Sequence, residues 1–236
     1  MTIGKCSSVP EKSFAGTSHT AVYALLGLGS AMCVALVAGR GLYSHTHHFQ
    51  TLVWNLFLAW IPLVLSALIY RASTRRGDVT RWILVPVAIV WLLFFPNAPY
   101  IVTDLVHLGQ YPDNIPGWYD VMLVAWFAWT GLLLGVVSLR LMQEIVAHAR
   151  GSRVGWAFVV LVTAAGSIGI YAGRFLRFNS WNVFQAPLVL VDTGWDEVTR
   201  PDAGELLLGF SVLFGLLFLL VYCTTYLLAR PDKLPS

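Results

Sequence analysis

Long apolar runs without a single charge dominate the chain. Six windows, residues 20–39, 51–70, 82–103, 121–139, 154–173 and 206–229, contain no Asp, Glu, Lys or Arg, and each is 19 to 24 residues long. A helix rises about 1.5 Å per residue, so about 20 residues cross a hydrocarbon core of roughly 30 Å. Lipid offers no partner to a backbone N–H or C=O, and a helix satisfies both within the segment itself. The windows do not alternate polar and apolar positions, which argues against a membrane β-barrel. The pattern predicts an all-α polytopic membrane helix bundle with about six transmembrane helices. A cytoplasmic N-terminal segment (1–19) precedes the bundle (20–229), and a cytoplasmic tail (230–236) follows it.

Composition agrees. Hydrophobic residues make up 57% of the chain and charged residues 11%, against about 25% charged in a soluble domain. With the N-terminus in the cytoplasm, 11 of the 15 Lys and Arg fall in cytoplasmic segments and only Arg40, Arg174, Arg177 and Arg200 fall outside. The positive-inside rule therefore places both termini in the cytoplasm of a plasma-membrane protein. Eight of the twelve acidic residues fall on the outer side. The net charge of +3 is a signature of topology, and no nucleic-acid partner is implied. The first apolar run is longer than a signal peptide's core and is read as a retained anchor. Cys6, Cys33 and Cys223 sit at unrelated positions and support neither a disulfide framework nor a thiolate metal site. An apolar run at 186–191 in the long outer loop is too short to span, and is expected to lie along the interface or dip partway in.

The end of the third window reads Phe95-Pro96-Asn97-Ala98-Pro99-Tyr100-Ile101-Val102-Thr103-Asp104-Leu105-Val106-His107. Each proline removes a backbone donor and collides with the carbonyl four residues earlier, so the helix should kink or open here. Asn97, Tyr100, Asp104 and His107 are spaced three, four and three apart, which on a helix puts them on one stripe. Such a stripe either caps a helix end or lines a polar cavity. In the fifth window Gly166, Gly169 and Gly173 form a small-residue face that lets a neighbour approach closely. Continuing that face reaches Arg177, expected to point into the bundle, with Arg174 about one turn earlier. Asn179 and Trp181 follow at headgroup level. Asp120 opens the fourth window, Asn55 in the second needs a partner if buried, and Asp192, Asp196 and Glu197 lie in the outer loop. His45, His47 and His48 form a weak metal signal, so no metal site is assigned and cofactors stay open.

Two of these stretches, together with Asn55-Leu56-Phe57-Leu58-Ala59-Trp60-Ile61-Pro62, resemble a bacterial family catalogued as domain of unknown function 1361. The two are Phe95-Pro96-Asn97-Ala98-Pro99-Tyr100 with Thr103-Asp104-Leu105, and Gly173-Arg174-Phe175-Leu176-Arg177-Phe178-Asn179-Ser180-Trp181. The resemblance covers helices two to five and the start of the last outer loop. It implies a multi-pass membrane protein without an agreed activity, and transfers no catalytic residue.

Ionisable residues at membrane depth are costly and mark functional candidates. The expected function is a binding or assembly role, with an outer polar site that holds an anionic lipid or an envelope glycan. Arg174 and Arg177 would take the anion, while Asn55, Asn97, Tyr100, Asn179 and Trp181 would take hydroxyls or line the site. An alternative is an outer-leaflet enzyme acting on a lipid-linked phosphate or sugar, with Asp104, His107 or Asp120 as general base. No hydrolase, kinase or zinc-protease motif supports it. A transporter ranks lower, because paired helix interruptions and internal repeats are missing.

Overall fold

The computed structural model describes residues 19–46, 48–74, 81–108, 115–178, 185 and 187–229. The uncharged windows become helices: α1 (His19–Ser44), α2 (Gln50–Thr74), α3 (Arg81–Phe94), the short α4 (Asn97–Tyr100), α5 (Gly117–Arg150), α6 (Ser152–Arg174), α7 (Pro187–Thr199) and α8 (Pro201–Leu228). Six spans are long and apolar enough to cross a membrane, the third running from Leu84 through α4 to Val106. Among the described residues there is no strand.

The helices alternate in direction, so the polar features gather at two ends. One end carries the α1–α2 connection, the α3–α5 connection and α7, and is called the Asp104 end. The other carries the α5–α6 turn and is called the Arg140 end. At 34 residues α5 is about 51 Å long, the longest of the described helices. It is also the axis of the fold, since 61% of its apolar window is buried, against 17% for α1 and 22% for α8.

Small residues make that position possible. A Cβ at Gly131 would lie 2.6 Å from the Ala98 carbonyl oxygen, and one at Gly135 would meet Phe218, Pro99 and Ala98. The glycines of α5 therefore let α4 lie directly on its backbone. Polar bridges tie the layers: Trp91 Nε1 donates to Ser138 Oγ at 2.8 Å, and Ser138 Oγ donates to the Pro62 carbonyl at 2.9 Å, joining α3, α5 and α2. In lipid such bridges matter because bulk apolar contact alone does not drive helix association.

Residues 187–191 of the expected interfacial run form the first turns of α7, and Ala186 lies outside the described residues. Asp192, Asp196 and Glu197 therefore stand on a helix and not in an open loop. Leu188, Val189 and Trp195 are exposed on it, as a helix lying along the interface requires.

Candidate functional site

The site grows from the break in the third span. Helix α3 stops at Phe94, Phe95 and Pro96 form a turn, and a single turn of α-helix (α4) follows. Ala98 N–H reaches the Phe95 carbonyl at 3.2 Å and Tyr100 N–H the Pro96 carbonyl at 2.9 Å. The chain then tightens into a 3-10 helix, Ile101–His107. The glycine face of α6 receives this broken segment. Cβ atoms at Gly166, Gly169 and Gly173 would meet Phe95, Pro96 and Tyr100 at 3.2, 2.8 and 3.2 Å. The small-residue face thus gives the close approach its spacing suggested, and the neighbour it receives is the proline-broken segment.

The tightening splits the expected stripe. A 3-10 helix has about three residues per turn, so a four-residue step overshoots one full turn by about 120° instead of about 40°. Asn97 and Tyr100 line a cleft, whereas Asp104 is buried at 4% exposure and turned toward the helix interfaces. There it accepts from Asn55 Nδ2 at 3.1 Å and from Arg174 Nη1 at 3.1 Å. Asn55 is half-buried and finds its partner here. Arg174 sits in the last turn of α6, where the helix dipole favours a cation.

Arg177 is the clear correction. Helix α6 ends at Arg174, and Arg177 adopts left-handed backbone with φ 58°. The helical face does not continue to it, so it does not point into the bundle. Its side chain is exposed, and among the described residues it makes no hydrogen bond or ion pair. The side chain of His107 and residues Asn179 and Trp181 lie outside what the structure describes, as does His47.

Asp120 does not join this group. Its carboxylate forms a two-point pair with Arg40 of α1, Nε to Oδ1 at 2.7 Å and Nη2 to Oδ2 at 3.1 Å. Arg40 is 1% exposed, donates also to Thr46 Oγ1 at 3.2 Å, and lies 4.8 Å from the centre of the Phe49 ring. The expected single outer cluster is therefore two neutralised pairs, Asp104 with Arg174 and Asp120 with Arg40. A third carboxylate, Glu197 of α7, accepts from the Tyr171 hydroxyl at 2.6 Å and from Arg200 at 3.0 Å. Among the described residues no group of three His, Cys, Asp or Glu is placed to hold a metal ion.

The open volume lies beside the Asp104 pair, in a cleft of about 400 Å³ between α2, α3, α4 and α6. Its inner part is apolar, formed by Leu58, Leu92, Leu93 and Ile168, and its outer rim carries Asn55, Asn97 and Tyr100. From Ala165 to Gly173 the α6 wall is about 12 Å deep. Asn97 is oriented by its own hydrogen bond to the Phe94 carbonyl at 3.0 Å. The Tyr100 hydroxyl has no hydrogen bond among the described residues. Trp54 is 53% exposed and separates this cleft from a wider one between α1 and α2 that carries Thr46, His48 and Gln50 at its rim.

Residues 54–221, more than two thirds of the chain, match the family described as "Protein of unknown function (DUF1361)". The chain belongs to the DUF1361 family. The matched region holds the whole cleft, the Asp104–Arg174 pair and Asp120, and it extends into α8, further than the motifs alone had suggested. Arg40, which neutralises Asp120, lies before it. No curated protein and no solved structure matches the chain.

Arg40 and Tyr171 were not proposed as site residues from sequence, and Glu197 was named only as one of three acidic residues of the outer loop. The signal for Arg40 was present: it follows the first uncharged window directly, and Asp120 precedes the fourth, so both belong at one membrane boundary.

Proposed function

We propose that this DUF1361 protein binds an amphiphile with a hydroxyl-rich head, a lipid-linked sugar, in the cleft beside Asn97 and Tyr100. The observation that carries this reading is the graded wall: hydrocarbon side chains in the depth, amide and phenol groups at the rim. Ligand sites are mostly apolar with few placed polar groups, and this one opens sideways toward lipid. A hydroxyl head suits the rim better than an anion does. Arg174 is paired with Asp104 and does not line the cleft, the outer segments hold eight acidic against four basic residues by sequence, and among the described residues Arg177 is the nearby cation left without a carboxylate. Asn55, Asn97 and Tyr100 offer donors and acceptors to hydroxyls, and Trp54 and Phe178 offer ring faces to the apolar side of a sugar.

The surplus of Lys and Arg at the Arg140 end supports an orientation with that end and both termini in the cytoplasm. The cleft then faces the outer leaflet of the plasma membrane. With Asp104 and Asp120 each holding a guanidinium, neither carboxylate stands at the rim as a general base, and binding is favoured over hydrolysis.

Native mass spectrometry of the purified protein tests the reading. Wild-type protein retains a sugar-bearing lipid, and Ala172→Phe, which fills the cleft from the α6 wall, loses it. Arg177→Gln leaves a neutral glycolipid bound but releases an anionic lipid, which separates the two heads. Undiminished occupancy in folded Ala172→Phe protein overturns the assignment.

A further inference from the structure

A second cleft lies at the Arg140 end, where α1 and α8 both pack on α5 and make almost no contact with each other. Its volume is about 210 Å³. The depth is apolar, with Leu133, Val136 and Val137 of α5, and the mouth carries Tyr23, Arg140 and Tyr226.

The arginine at this mouth is fixed in place. Its Nε donates to Glu144 Oε1 at 2.8 Å, and its guanidinium lies 4.0 Å from the centre of the Tyr226 ring. The side chain is 17% exposed. Tyr222, which also lines the cleft, is held by a buried hydrogen bond from its hydroxyl to Gln143 Oε1. A side chain ordered in advance loses little entropy when a ligand arrives.

We infer that this cleft holds one acyl chain of an anionic phospholipid, with the phosphate at Arg140. The size excludes a peptide helix, which is about 10–12 Å across with its side chains, and fits a single hydrocarbon chain. Charge selects the head. By sequence, the segments assigned to the cytoplasmic side hold eleven Lys and Arg against four Asp and Glu, the reverse of the balance in the outer segments. Guanidinium matches phosphate geometry, basic pockets between helices take anionic headgroups, and tyrosines favour the level where head meets chain. The site lies at the other end of the bundle from the Asn97 cleft and does not depend on what that cleft binds.

The test uses the full chain in nanodiscs of mixed phosphatidylglycerol and phosphatidylcholine. Each lipid is doped with its own probe carrying a diazirine in the acyl chain, and crosslinks are mapped by peptide. Labelling of residues 133–141 and 222–229 is normalised to that of Val85 and Ile89, which are exposed on α3 at the same end. The phosphatidylglycerol probe is expected to exceed the phosphatidylcholine probe by a few-fold, short of the about fivefold that one unpaired basic residue gives near an anionic head, because Glu144 offsets part of the charge. Glu144→Gln frees the guanidinium of its carboxylate and is expected to raise the ratio, and Arg140→Gln is expected to bring it to about one or below. Val137→Trp fills the depth and lowers labelling by both probes. A ratio near one in the wild type, a ratio retained in Arg140→Gln, or labelling unchanged by Val137→Trp overturns the inference.

Discussion

Removal of Arg174 and removal of Asp104 are not equivalent perturbations, although they break the same pair. The Asp104 side chain is 5% exposed and that of Arg174 is 15% exposed. Arg174→Gln leaves a carboxylate in a nearly dry site with Asn55 as its remaining donor among the contacts described. Breaking a buried pair from one side costs about 3–5 kcal/mol, and the surviving amide bond puts this case near the lower limit, about 3 kcal/mol. Asp104→Asn instead leaves a guanidinium that is more exposed and stands in the last turn of α6, where the dipole returns about 0.3–1 kcal/mol. Its expected cost is about 1–2 kcal/mol. The double variant, with amides on both sides, should cost less than the two singles together by at least about 1 kcal/mol. Unfolding of each variant in mixed micelles, followed by tryptophan fluorescence against denaturant, measures all three. If Asp104→Asn proves as costly as Arg174→Gln, or if the two costs simply add, the reasoning from burial and helix position is wrong.

Three further predictions concern other parts of the frame. Gly131→Ala should destabilise by about 1–3 kcal/mol because its Cβ would strike a backbone carbonyl, which cannot swing aside; Gly27→Ala, with nothing within 4 Å, should be neutral in the same unfolding assay. Asp120→Asn should destabilise by about 3 kcal/mol or more, since Arg40 at 1% exposure then keeps its charge without its carboxylate, and limited proteolysis should find α1 released first. Tyr171→Phe removes the hydroxyl that holds Glu197; hydrogen exchange in α7 should rise several-fold, with α6 and α8 unaffected, because one such bond is worth about 1–2 kcal/mol.

The membrane spans were legible because uncharged windows of about 20 residues have one backbone solution in lipid. The break at Pro96 and the glycine face of α6 were legible for the same kind of reason, since both follow from sterics within a few residues. The site was legible in its membership more than in its arrangement. Asn97 and Tyr100 reach the cleft, but Asp104 leaves it because the helix tightens to 3-10 geometry after Tyr100, a change that no spacing rule anticipates. Arg177 was misplaced because a helical face was extended past the residue where the helix ends. The Arg40–Asp120 pair joins positions 80 residues apart and depends on how α1 docks against α5, which local sequence does not encode.

The most direct measurement is a cryo-EM map of the protein extracted with its native lipids into nanodiscs, at a resolution that shows ordered lipid on the bundle. The account requires elongated density between α2, α3 and α6, its tail against Leu58, Leu93 and Ile168 and its head within hydrogen-bonding reach of Asn97 and Tyr100. An empty Asn97 cleft in a map that resolves lipid elsewhere on the protein would contradict it.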